Sequence, residues 1–411
     1  MVRRRHVYHV AGYDPMDAGA LYRRFTRQLD VFRRTWNVDA SVSALEQASD
    51  KCRAWWTVRA RGPNWQVEAV HEALLWDDIV RADFRRPLAL RLLKAAFAYC
   101  DLIVTGTMFR YIVANQRYAI FFLFPIFSVV LFAVAGWIVA RLTTGFLGLD
   151  GVAAAALGVP LGVAVFLLLL RWPGRRWRVE QLLDDWICAH AYIHGERPDI
   201  DARLELFAEA LLAQTRDAAL DEIVIVGHSL GAMLVLDVIV RALARDANFG
   251  RRGPAVCVLT IGATIPKFAL HPRARAIRRR IAEVAAEPSI AWTEYQSRAD
   301  TISFYKFDPV SLRRIAADRL DGKPVIRRVQ IHDMLLPETF ARCRTHVLRL
   351  HYRSVMANDR RAPYDYFLMV CGPVAFSDWT ISPLGLLDFL AADGTCRDAS
   401  QPRAIAAQPS L

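Results

Sequence analysis

The residues best placed to do chemistry are Gly227-His228-Ser229-Leu230-Gly231, a G-x-S-x-G string. Glu222 to Val226 precedes it, a β-branched run that predicts a buried strand. Ala232 to Arg241 follows, an apolar run that predicts a packed helix. A serine on a sharp strand-to-helix turn has its hydroxyl lifted clear of the sheet. The next amides, at the helix N-terminus, point toward any oxyanion that forms there. Glycines two positions either side avoid a clash with crossing backbone.

Serine alone is a poor nucleophile and needs a base, with an acid to orient it. In elbow-type sites both follow the serine in the chain. Ile290 to Gln296 predicts a strand, and Asp300 lies just past its end, where such an acid belongs. Asp308, in Phe307-Asp308-Pro309, is the alternative. Three histidines compete as base. His351 opens a run that predicts the last helix, and it is preferred because a base on the loop leading into that helix fits best. His346 and His332 are the alternatives, the latter at the end of a strand from Pro324 to Ile331.

Gly227 to Gly231 with its strand and helix resembles the α/β-hydrolase superfamily, in the G-H-S-L-G form seen in lipases and esterases. Thr260 to Ala263 and Tyr295 to Asp300 extend the resemblance, which covers roughly residues 205–355. It implies an α/β sheet with helices on both faces. It also implies an acyl-enzyme mechanism with Ser229, His351 and Asp300 as triad, and the Leu230 amide in the oxyanion hole. Thioester cleavage or acyl transfer would use the same residues.

Further elements must complete that sheet. His6 to Ala11 predicts a strand. Ala18 to Trp36 predicts a helix with Leu21, Phe25, Leu29 and Phe32 on one face. Gly12-Tyr13 between them is a candidate second oxyanion donor, through the Tyr13 amide, or else a plain turn. Val38 to Leu45, Cys52 to Ala60 and Trp65 to His71 predict strands, the last two joined by a hairpin turn at residues 61–64.

The middle of the chain departs from a soluble hydrolase. Tyr118 to Ala140 and Val152 to Leu170 carry no charged side chain and reach the ~20 residues that cross a bilayer. Arginines crowd both outer flanks, Arg110 and Arg117 before and Arg171 to Arg178 after. By the positive-inside rule both flanks and both termini are expected on the cytoplasmic side of an inner membrane. No signal peptide is expected. The expected divisions are residues 1–76 and 179–393 for the hydrolase domain, 77–178 for the membrane insertion and 394–411 for a disordered tail. Within the insertion, residues 81–117 read as an interfacial segment, or else as an amphipathic helix on the sheet.

Composition narrows the partners. The 411 residues carry a net charge of +12, spread along the chain without a basic-aromatic nucleic-acid module. Anionic phospholipid accounts for the charge more simply, so a bilayer and an ester or lipid substrate are the expected partners, with no nucleic acid. Seven irregularly spaced cysteines argue against a disulfide framework. His190 and His194 are spaced for a metal on one helix face. The string His190-Ala191-Tyr192-Ile193-His194 lacks the H-E-x-x-H glutamate, so the pair reads as structural and no metal or cofactor is expected. The rival to an enzyme is a non-catalytic membrane scaffold on the same fold.

Overall fold

The computed structural model describes residues 1–397. Two compact units emerge. The first comprises Met1–Val80, Pro198–Leu270 and residues from Ala274 onward; the second comprises Arg81–Arg197 with His271–Arg273.

The first unit is α/β. Its strands are β1 (Arg4–Val10), β2 (Asp39–Val42), β3 (Glu46–Gln47), β4 (Arg53–Arg61), β5 (Gln66–Leu74), β6 (Glu222–His228), β7 (Ala255–Ile261), β8 (Ile290–Ser297), β9 (Phe307–Asp308), β10 (Arg313–Arg314) and β11 (Val325–Val329). Nine form one sheet, in the order β11-β8-β7-β6-β1-β5-β4-β2, with β3 on β4; β9 and β10 pair separately. The six strands from β11 to β5 run parallel. The hairpin β4–β5 and strand β2 are antiparallel. Central strand β6 is buried at every residue, as expected of a parallel strand covered on both faces.

Helix α1 (Ala18–Trp36) starts where the Asp17 side chain accepts the Ala20 amide at 2.7 Å, and ends where Asn37 turns left-handed. Its stripe of Leu21, Phe25, Leu29, Phe32 and Trp36 is buried. Removing one such aromatic would cost about 3–5 kcal/mol. In β1, Arg5 is fully buried. It pairs with Glu222 and donates to the carbonyls of Met369, Gly372 and Val374. A buried guanidinium is tolerable because all these acceptors converge on it.

Helix α2 (Asp77–Phe84) begins in the first unit. The second unit holds α3 (Leu88–Val104), α4 (Thr107–Ala114), α5 (Gln116–Phe146), α6 (Gly151–Leu169) and α7 (Val179–Ile193). Two helical stretches, Gln116–Phe146 and Gly151–Gly174, are long and apolar enough to cross a membrane. Large apolar side chains along them are exposed, among them Phe127, Trp137, Leu142, Val159 and Leu168. The two helices meet through small residues. A Cβ at Gly136 would strike the Gly162 carbonyl, and Gly158 packs on Thr144 and Ala140. Close small-residue contact is how helices associate where the surroundings are as apolar as the side chains.

Three expected boundaries move. The second unit begins at Arg81, within α2, instead of 77. The second unit extends to Arg197 instead of 178, because α7 packs on α3; Arg91 of α3 reaches Asp184 and Glu180 of α7. The expected tail is ordered as far as 397. Trp65 donates to the Gly394 carbonyl at 2.9 Å, and Asn64 bonds both backbone groups of Cys396. Residues 398–411 lie outside the described residues. The first unit also holds α8 (Pro198–Gln214), α9 (Gly231–Arg245), α10 (Ile265–Ala269) and α11 (Arg275–Ala286).

Candidate active site

Strand β6 ends at His228 and α9 starts at Gly231, so Ser229 sits on the turn between them. Its φ is +58°, a left-handed conformation that costs an L-residue about 1–2 kcal/mol. Tertiary bonds hold it there. The Ser229 amide donates to the Ile261 carbonyl at 3.1 Å, and the Ser229 carbonyl accepts from Thr264 at 3.3 Å.

The next residue along β7, Gly262, leads to the other two candidates. It has a φ of +53°, and a Cβ there would lie 3.1 Å from Asp300 Oδ2 and 3.1 Å from His351 Cε1. Only glycine leaves room for that approach. His351 Nδ1 and Asp300 Oδ2 are 2.7 Å apart, with both side chains buried. The other Asp300 oxygen accepts the Ile302 amide at 3.0 Å. The carboxylate is thus fixed on both sides and orients the ring through Nδ1. His351 Nε2, the nitrogen a base turns toward its nucleophile, is buried and has no hydrogen-bond partner among the described residues. No Ser229–His351 hydrogen bond closes the set; such bonds are often long before substrate arrives.

The alternatives lie elsewhere. Asp308 accepts from the Val310 amide and the Ser311 hydroxyl and pairs with Arg319, as a turn carboxylate does. His332 is exposed and paired with its neighbour Asp333 at 2.8 Å. His346 stands at the N-cap position of the short helix Val347–Tyr352, without a side-chain capping bond, and is half-buried. His351 lies in the last turn of that helix. It is not on a loop into the last helix, since two more follow at Tyr366–Cys371 and Phe376–Ile381.

Two participants were hidden in the sequence. His228 packs its ring 4.6 Å from that of His351, with Nε2 3.4 Å from the His351 carbonyl. Burial, and then the charge of His351, push the His228 pKa well below its ordinary value, so a second cation does not compete there. In the motif it is only the variable position. Tyr352 donates its hydroxyl to Asp14, just beyond Gly12-Tyr13. This bond ties the Gly12 loop to the residue beside His351. A Cβ on Gly12 would come 2.8 Å from the Ser229 Cβ, so the loop passes directly over the serine. Leu230 follows Ser229 at the start of α9, and both Leu230 and Tyr13 are buried.

No family model, curated protein or solved structure matches this chain.

Proposed function

We propose that this chain is a membrane-anchored serine hydrolase that cleaves carboxylic esters through an acyl-enzyme. The observation that carries the reading is the Asp300–His351 pair beside Gly262, one residue past the Ile261 carbonyl that holds left-handed Ser229. A strained serine at the end of β6, and a half-unpartnered imidazole on a short helix oriented by Asp300 beyond the end of β8, suit nucleophilic catalysis.

On this reading Ser229 attacks the ester carbonyl carbon. His351 Nε2 accepts the hydroxyl proton and returns it to the departing alkoxide. Asp300 holds the imidazole and stabilises its cationic form. The Leu230 and Tyr13 amides stabilise the tetrahedral oxyanion. Water then repeats the sequence on the acyl-enzyme. A thiol ester would follow the same course.

The α5–α6 pair anchors the protein in the bilayer. The arginine-rich flanks support an orientation with the hydrolase unit on the cytoplasmic side of an inner membrane. In α3 and α4, Leu93, Phe97, Ile103, Val104, Phe109 and Val113 are exposed, which suits contact with lipid. A lipid-like ester is therefore the substrate class proposed. The reading is tested by exposing the detergent-purified protein to a fluorophosphonate probe. Labelling should map to Ser229 and vanish in Ser229→Ala; equal labelling of the folded variant refutes the assignment.

A further inference from the structure

In the second unit, His190 and His194 stand one turn apart at the end of α7, with ring centroids 4.2 Å apart. Helix α3 packs against α7 and sets Asp101 opposite these rings. His271 joins from the short stretch His271–Arg273 of the same unit. Three imidazoles therefore converge on one carboxylate oxygen. Asp101 Oδ2 lies 3.1 Å from His190 Nε2, 3.0 Å from His271 Nε2 and 3.8 Å from His194 Nε2.

Neighbouring backbone groups decide where the protons sit. A carbonyl only accepts, and His194 Nδ1 is 2.8 Å from the His190 carbonyl, so Nδ1 carries the proton. In the neutral ring, His194 Nε2 is then a bare lone pair facing Asp101. His271 is the reverse. Its Nδ1 accepts the Arg273 amide at 3.2 Å, which leaves the proton on Nε2, donated to Asp101. A lone pair aimed at an anion is repulsive, and a cation between them reverses the sign.

We propose that Asp101, His190 and His194 form a divalent transition-metal site of the zinc class, with His271 orienting the carboxylate. The three donor atoms lie within 4.8 Å of one another. A tetrahedral ion with bonds of about 2.0–2.2 Å needs donors about 3.4 Å apart, and the two Asp101–Nε2 distances lie on either side of that value. His190 contributes Nε2 by carrying its proton on Nδ1. Imidazole and carboxylate suit zinc, iron(II) or cobalt(II) better than magnesium or copper(I). Three protein ligands leave one position open to water or substrate. The His271 hydrogen bond to the ligating carboxylate is the outer contact that fixes such a ligand. The i,i+4 pair, read from sequence as structural, gains its third ligand only through the packing of α3 on α7.

The test uses full-length protein in detergent, without a polyhistidine tag and stripped by chelator. Zinc is titrated calorimetrically, and cobalt(II) is followed by its visible absorption. About one equivalent should bind, with the intense bands of a four- or five-coordinate ion, and zinc should raise the melting temperature. His190→Ala and His194→Ala should each abolish the bands. His271→Asn should weaken binding about 10–100-fold. Exposed His332→Ala should leave it unchanged. Two results overturn the site: wild-type protein that takes up no stoichiometric ion, or a His190→Ala/His194→Ala double variant that keeps the bands. The wild-type titration decides the matter even if a variant fails to fold, and it does not depend on esterase activity.

Discussion

His351 Nδ1 lies 2.7 Å from Asp300 Oδ2, although 51 positions separate the two residues in the chain. This bond selects one ring tautomer and leaves the lone pair on Nε2, as the proposed role of base requires. On the proposed mechanism Asp300→Asn should lower kcat about 10⁴-fold, the cost of presenting the wrong tautomer. Asp308→Asn should lower stability instead, since Asp308 pairs with Arg319. Steady-state kinetics on a short-chain ester distinguishes the two. Equal kinetic losses would remove the distinction drawn between these carboxylates.

The φ of +58° at Ser229 makes a stability prediction of its own. Glycine adopts that conformation without a Cβ penalty. Ser229→Gly should abolish probe labelling and raise stability by about 1 kcal/mol in chemical denaturation. A variant that loses stability would show that the hydroxyl holds the turn structurally.

Gly12 offers a test of the loop over the serine. A Cβ there would lie 2.8 Å from the Ser229 Cβ and 3.2 Å from its Oγ, so Gly12→Ala must displace one of them. Labelling rate and kcat should fall by at least about tenfold, since small misplacements near the chemistry cost about 10²-fold. Far-UV circular dichroism should be unchanged. Normal turnover in the variant would place the loop away from the nucleophile.

Glu294 predicts a pH dependence of stability. It is fully buried, and burial is the main cause that raises its pKa to about 7, against 4.5 ordinarily; Asp308 adds to the rise. Bonds from Gln296 and Thr260 and the charge of Arg319 oppose it. The folded state thus holds a proton that the unfolded state releases near pH 4.5. Stability is highest below that pH as far as this group is concerned, and falls as pH rises from about 4.5 to 7, by on the order of 3 kcal/mol. Urea denaturation of the wild type and Glu294→Gln across this range checks it. The difference between them should change with this sign; a constant difference would contradict it.

The membrane reading predicts topology. In a background lacking the seven native cysteines, a cysteine near Gly148 should react with an impermeant reagent from outside intact cells, and one at Asn64 should not. Reaction at Asn64 would overturn the orientation. Gly136→Leu should loosen α5 from α6, because a side chain there meets the Gly162 carbonyl.

What the amino-acid order determined by itself is what neighbouring residues decide among themselves. The run Glu222 to Val226, the turn at Ser229 and the helix after Gly231 follow from β-branching, glycine spacing and apolar periodicity. The two charge-free runs follow from hydropathy alone, and a hairpin from the short stretch between them. Strands β1, β4 and β5 and the stripe of α1 were legible for the same reason. Only the tertiary structure decided which carboxylate reaches which imidazole: position in the chain favoured Asp300 over Asp308 and His351 over His346 and His332, but whether the favoured two meet depends on packing. Packing also put His228 against His351, Tyr352 on Asp14, Trp65 on Gly394, and Asp101 between His190 and His271. Each of these contacts joins groups far apart in the chain. Their energies depend on distance in space, and separation along the chain carries no measure of it.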